Sequence, residues 1–320
     1  MNPTPPDPFD GLLPPHNPSV VGSIPTGSTA RQFSYSFLVV VSRSKNHNVV
    51  AVRTRNTRRW HIYSANAEKS PIYNRPMSVF EVVTTVDRPD LHDQFEEAFR
   101  PVWPEFIFHD SVSNQYVGQV QERFPLYDVT VVEGDRVVAG GWGVILSWNQ
   151  TICDLPDGYD GALVRSFSLN DETAGNTLSV MATAVRPDCQ GKGLSALVLR
   201  ELRQRAFAGG LTSVIAPVRP TLKSKYPLTP MEKFASWRRT DGEHVDPWIR
   251  IHERLGAVVL GVAARSMVIS GSVHDWEKWT GMLFPESGSY VVPDALDLVV
   301  IDRVADVGTY IEPNLWMHHS

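Results

Sequence analysis

The residues best suited to chemistry lie at Gln190-Gly191-Lys192-Gly193-Leu194-Ser195. From Leu194 to Phe207 apolar residues recur at 194, 197, 198, 202 and 206, which is the spacing of one helical face. The first N–H groups of a helix have no partner within it, and the positive end of the dipole lies behind them. Two glycines just ahead of such an end let backbone approach a phosphate closely, so the stretch predicts an anion site. It matches neither GxxxxGK[ST] nor GxGxxG. A second candidate is His252, within Trp248-Ile-Arg-Ile-His252-Glu-Arg-Leu-Gly256-Ala257. An imidazole with an ordinary pKa near ~6.5 keeps a protonated fraction and can donate a proton.

These groups need elements to hold them. Val180–Val185 is a run of β-branched and small residues that predicts a strand. Pro187 stops it, because proline cannot continue a ladder. Strand, glycine turn and helix therefore follow in that order. Around His252, Gly256 suits the position just past a helix end and Arg254 suits the last turn, with a strand following over 258–269. Upstream, Ser78–Val86 predicts a strand, and Leu91, Phe95 and Phe99 share a helical face. A looser stretch, 106–124, predicts one or two more helices. Tyr127–Val132 and Val137–Ser147 flank Glu133-Gly134-Asp135 as a hairpin. Gly140-Gly141 in the second strand points to a bulge or a close backbone approach. The polar stretch 149–176 reads as a long loop with a short strand at 162–167. Ser213–Val218 reads as a strand, 274–281 as a short helix, and 289–301 as the last strand.

The segment Val185-Arg-Pro187 followed by Gln190-x-x-Gly193-x-Ser195 resembles the pyrophosphate loop of the GNAT acetyltransferase superfamily, R/Q-x-x-G-x-G/A after a strand ending V-x-P. Ser195 departs from the family's Gly or Ala. The segment around His252 is similar to the family's Y-E-K-x-G-F, with His252 in place of the tyrosine that protonates the departing thiolate. The resemblance implies an α/β fold: a mixed, mostly antiparallel central sheet flanked by helices, with splayed strands forming an acyl-CoA cleft. It implies acetyl-CoA as co-substrate, and an N-acyltransferase, most simply an N-acetyltransferase, acting on an amine-bearing small molecule or peptide. Gly191, Lys192, Gly193, Leu194 and Ser195, with Gln190, would hold the pyrophosphate. The main chain of 182–185, Thr183 and Val185 included, would hold the pantetheine arm and polarise the thioester carbonyl. His252 would be catalytic. Glu243 and Asp246 are candidates for the base, and Arg238, Arg239, Glu243 and His244 for the acceptor pocket. A rival reading is a non-catalytic acyl-CoA-binding or regulatory module.

Composition sets the outer bounds. The 320 residues are 42% hydrophobic and 20% charged, ordinary for a globular protein. Two cysteines exclude a disulfide scaffold and suggest no metal site, so a cytoplasmic protein is expected. No run approaches the ~18 apolar residues of a membrane span. The net charge of −5 is uneven, with nine Lys/Arg against three Asp/Glu in 1–76 and 21 against 32 beyond. Residues 1–76 are expected to be disordered or a spurious extension, because codons for Val21–Thr29 can be chosen that read as the hairpin arm of a transfer-RNA gene. The domain would then be 77–320, with an insertion at about 219–247. Nucleic acid is an unlikely partner on this reading, and a homodimer is a possible assembly.

Overall fold

β-Branched runs separated by turn residues pair with their neighbours in the chain, so most of the sheet grows by antiparallel addition. The computed structural model describes residues 37–44, 47–54, 61–63, 78–170 and 175–320. The first strands are β1 (Phe37–Ser44), β2 (His47–Thr54) and β3 (His61–Tyr63), then β4 (Ser78–Thr84). Three helices follow, α1 (His92–Phe99), α2 (Ser111–Tyr116) and α3 (Val120–Arg123). The expected hairpin is β5 (Asp128–Glu133) and β6 (Arg136–Leu146), with Gly134 at a φ of 63° in its turn. After it come α4 (Gly158–Phe167), β7 (Thr177–Val185), α5 (Leu194–Ala208) and β8 (Ser213–Val218). The remainder is α6 (Met231–Ala235), α7 (Pro247–Arg254), β9 (Val258–Gly271), α8 (Val273–Thr280), β10 (Gly288–Tyr290), β11 (Val299–Asp302) and β12 (Val307–His319).

The sheet order is β10-β11-β12-β8-β7-β6-β5-β4-β1-β2-β3, with β9 also paired to β12. Every pair is antiparallel except β7 with β8. The parallel pair is short: Thr177, Leu178 and Ser179 face Ser213, Val214 and Ile215, and the pairing then stops. Two features mark where it stops. Pro217 in β8 has no N–H to give a ladder. In β7 the register against β6 slips between Ala182 and Val180, leaving Met181 as the extra residue of a bulge. The two strands diverge from that point, which is the splay expected above.

The main core packs α5 on the sheet through Leu194, Leu197, Val198, Leu202 and Ala206, all nearly or fully buried. Gly141 permits this contact, since a Cβ there would lie 2.6 Å from the Ala182 carbonyl and 2.7 Å from Val198. A second core gathers Phe106, Trp276, Phe284 and Tyr310 where β11 and α8 meet β12.

Several expectations are corrected. Residues 162–167 are helical, within α4, because Ala162, Leu163 and Ser166 share one buried helical face. The last strand is not 289–301, where β10 and β11 are only short edge pieces. It is β12, a central strand the sequence reading missed. The segment 219–247 carries α6 and a bridge between Arg238 and His244. Three strands within 37–63 extend the sheet where no element was expected. The rest of the expectation for 1–76 lies outside the described residues, apart from the sheet itself. Among the described residues no helix is long and apolar enough to cross a membrane.

Candidate active site

A cavity of about 470 Å³ opens where β7 and β8 part. Val180 to Ala184 of β7 form one wall and Ala216 to Arg219 of β8 the other. Helices α1 and α2 cover it through Phe95, Phe99 and Asn114, and α7 closes a side with Trp248 and His252. Past Ser179, β7 has no strand partner on its β8 side, so backbone there is free to meet an amide-bearing chain.

The glycine turn sits at the end of β7. Gly191 and Gly193 have φ of 74° and 80°, and no atom lies within 4 Å of the place where either would carry a Cβ. Gly193 is the N-cap of α5 and no side chain caps it. The first recorded helical bond runs from Leu197 N–H to the Gly193 carbonyl. Among the described residues, the N–H groups of Gly191, Lys192, Gly193, Leu194 and Ser195 donate to no protein acceptor. A concave array of free amides at a helix start, without covering side chains, fits a diphosphate. Gln190 is exposed and Lys192 and Ser195 are half-exposed, while the Leu194 side chain is buried in the core, so only its main chain faces the turn. Lys192 Nζ lies 3.8 Å from the buried Cys189 thiol.

The other expected residues fall as follows. Thr183 lines the cavity, and its Oγ1 is buried without a partner. Val185 does not line it; it pairs with Ala139 at the end of the ladder. His252 lines the cavity, is 1% exposed, and packs edge-on to Trp248 at 4.4 Å. Its Nδ1 is 2.9 Å from His319 Nε2, and its own Nε2 is buried without a partner. The sequence reading assumed an ordinary imidazole with a protonated fraction. Burial, and then the neighbouring His319, hold the His252 pKa well below the usual histidine value, so the ring is neutral at neutral pH.

Glu243 and Asp246 do not line the cavity. Glu243 is held by Arg254 through two hydrogen bonds of 2.7 and 2.6 Å. Asp246 is fully buried and caps α7, accepting from Trp248, Ile249 and Leu222 N–H. Arg238 pairs with Glu253, Arg239 with Asp241, and His244 Nε2 meets the Phe234 carbonyl. These residues fix the insertion and α7 and are not part of the pocket.

Two of the polar groups that line the cavity, Glu312 and Asn314, were missed because they come from β12. Glu312 is fully buried there, and Arg219 Nε donates to both its oxygens at 3.0 and 2.9 Å. Tyr310 Oη and Asn314 Nδ2 also donate to Glu312, at 3.0 and 3.2 Å. Ser266 Oγ donates to Asn314 Oδ1 and accepts from Tyr159 N–H at 2.8 Å, which ties β12 to β9 and α4. Behind Ser113 and Tyr159 of the wall lie two further carboxyls. Asp110 is fully buried and caps α2, accepting from Ser113 N–H at 2.6 Å. Asp160 accepts from Val268 N–H at 3.1 Å, and its carboxyl lies against that of Asp110. Burial, then the nearby Asp110 and the more distant Glu312, push the Asp160 pKa up to about 8.

The sequence pattern described as the Acetyltransferase (GNAT) family matches residues 88–225. The chain is 30% identical over 274 residues to the arginine N-acetyltransferase avaD of Aspergillus versicolor, covering 75% of this chain and 93% of that one. Among solved structures it is similar to the loading GNATL domain of CurA from Lyngbya majuscula, at 17% identity and a TM-score of 0.46, covering 72% of this chain and 97% of that one. It is also similar to the GphF GNAT-like decarboxylase in complex with isobutyryl-CoA, at 14% identity and a TM-score of 0.48, covering 75% and 98%. The splayed strands and the relative that spans most of this chain place it in one family: the protein belongs to the GNAT acetyltransferases and is an acyl-CoA-dependent N-acetyltransferase.

Proposed function

We propose that this enzyme acetylates an amine of arginine or of a closely related cationic amino acid. The acetyl-CoA pyrophosphate would lie on the amides of Gly191–Ser195 and its pantetheine arm in the gap between β7 and β8. The observation that carries this placement is the row of free amides at the open turn that follows β7, the strand that walls the cavity. Backbone along Val180–Ala184 would orient the thioester and stabilise charge on its carbonyl oxygen, and holding amine and thioester together supplies rate by proximity. His252 would face the leaving sulfur. The arginine-acetylating relative supports the acceptor class.

The test is thiol release from acetyl-CoA with arginine, agmatine, citrulline and glutamate as acceptors. Arginine should turn over, and citrulline, its neutral isostere, should show a kcat/KM at least about tenfold lower. No release with arginine overturns the acceptor assignment, and no release with any amine favours a binding module. Replacing His252 by Phe should lower kcat about tenfold or more while the affinity for acetyl-CoA changes little. Unchanged turnover would move His252 out of the catalytic site.

A further inference from the structure

The ring that faces the cavity is not alone. His319, 3% exposed on β12, meets His252 through a 2.9 Å Nε2···Nδ1 contact. Burial, then the positive charge of Arg203 on α5, then His318, bring the His319 pKa down to about 4. Two neutral imidazoles in such a contact share one hydrogen, which leaves two arrangements. In one, His252 Nδ1 carries the hydrogen and a lone pair faces the cavity from Nε2. In the other, His319 Nε2 donates to His252 Nδ1, and His252 must carry its hydrogen on Nε2, pointing into the cavity. Only the second arrangement presents a donor, and not a lone pair, from the buried and unpartnered His252 Nε2 to a developing thiolate in the cavity. In it, the His319 hydrogen is on Nε2.

We propose that His319 is a positioning residue that fixes His252 as its Nε2–H tautomer, making a neutral ring the hydrogen-bond donor to the departing sulfur. The inference rests on the placement of His252 given above. As the amine nitrogen bonds to the acyl carbon, the C–S bond breaks and the sulfur takes its electron pair. His252 Nε2–H stabilises that charge without giving up its hydrogen, so no imidazolium or imidazolate forms. The amine's proton leaves to water, and the thiolate is free to take one from water on release. A donor of this kind does not need the protonated ring that the depressed histidine excludes.

The first test needs no variant. Nitrogen-15 spectra of the full chain labelled at histidine should show His252 Nε2 protonated and Nδ1 unprotonated throughout about pH 6 to 8. His252 Nδ1–H, or an imidazolium signal in that range, overturns the proposal whatever the activity. In the second test, His319→Phe removes the donor to Nδ1. It should mix the tautomers and lower kcat about tenfold or more, with KM for acetyl-CoA within about twofold. His319→Gln keeps an N–H for Nδ1 and should restore most of both the tautomer and the turnover. Full kcat in His319→Phe, in a folded chain in which His252→Phe is impaired, sinks the role of His319 alone. Full kcat in His252→Phe sinks the parent placement instead. A kcat inflection near pH 6.5 that vanishes in His252→Phe would also overturn the neutral donor.

Discussion

At the scale of residues, the site is set by what burial does to titratable groups. His252 lines the cavity, but it lacks the protonated fraction expected of an ordinary imidazole, because desolvation is a property of the fold. Asp160 shows the opposite effect. Its pKa is raised to about 8, so the folded state binds a proton that the unfolded state has already lost above about pH 4. Stability from this group is therefore complete at low pH and falls as pH rises toward 8. Asp160→Asn mimics the protonated acid and can donate toward Asp110. The variant should melt higher than the parent at pH 8 and show little gain near pH 4, as read by thermal unfolding at both values. An equal difference at the two pH values would contradict the raised pKa. Nothing in the local sequence around Asp160 announced this, because its partner Asp110 lies on another helix.

At the scale of elements, the β7-turn-α5 unit was legible because its signals are contiguous. A strand of β-branched and small residues, a proline stop, two glycines and an apolar helical face all fall within 28 residues and act locally. The prediction at this scale concerns Gly193. Its φ of 80° strains any L residue, and its open surroundings face the free amides. Gly193→Ala should cost roughly 1–2 kcal/mol in stability from the left-handed backbone. Gly193→Asp should in addition abolish acetyl-CoA binding, measured by calorimetry, because a carboxylate would meet the pyrophosphate. Unchanged affinity in Gly193→Asp would remove the turn from the cofactor site. The misread elements failed for equally physical reasons. A short apolar stretch such as 162–167 does not by periodicity alone separate a buried strand from a turn of helix, and the face of α4 becomes evident only against β9.

At the scale of the whole molecule, β12 is the strand on which the site depends. It pairs with β8, β9 and β11 and delivers Glu312, Asn314 and His319 to the cavity region. A chain ending at Asp306 should fail to fold: it should lack near-ultraviolet dichroism and bind no acetyl-CoA. A folded truncated chain would show that the sheet closes without β12. The sequence could not display this strand. Its residues are buried on both faces, so polar and apolar positions do not alternate, and Gly308, Pro313, Glu312 and paired histidines disguise it as a tail. The sequence by itself determined the glycine turn ahead of α5, the helix that carries His252 and hence the family, because each is written in consecutive residues that act on one another across a few bonds. Only the tertiary structure decided which acid lines the cavity, that His252 is neutral, and that His319 is bonded to it. Those facts depend on which distant segments the sheet brings within 3 Å and on how much water it leaves between them.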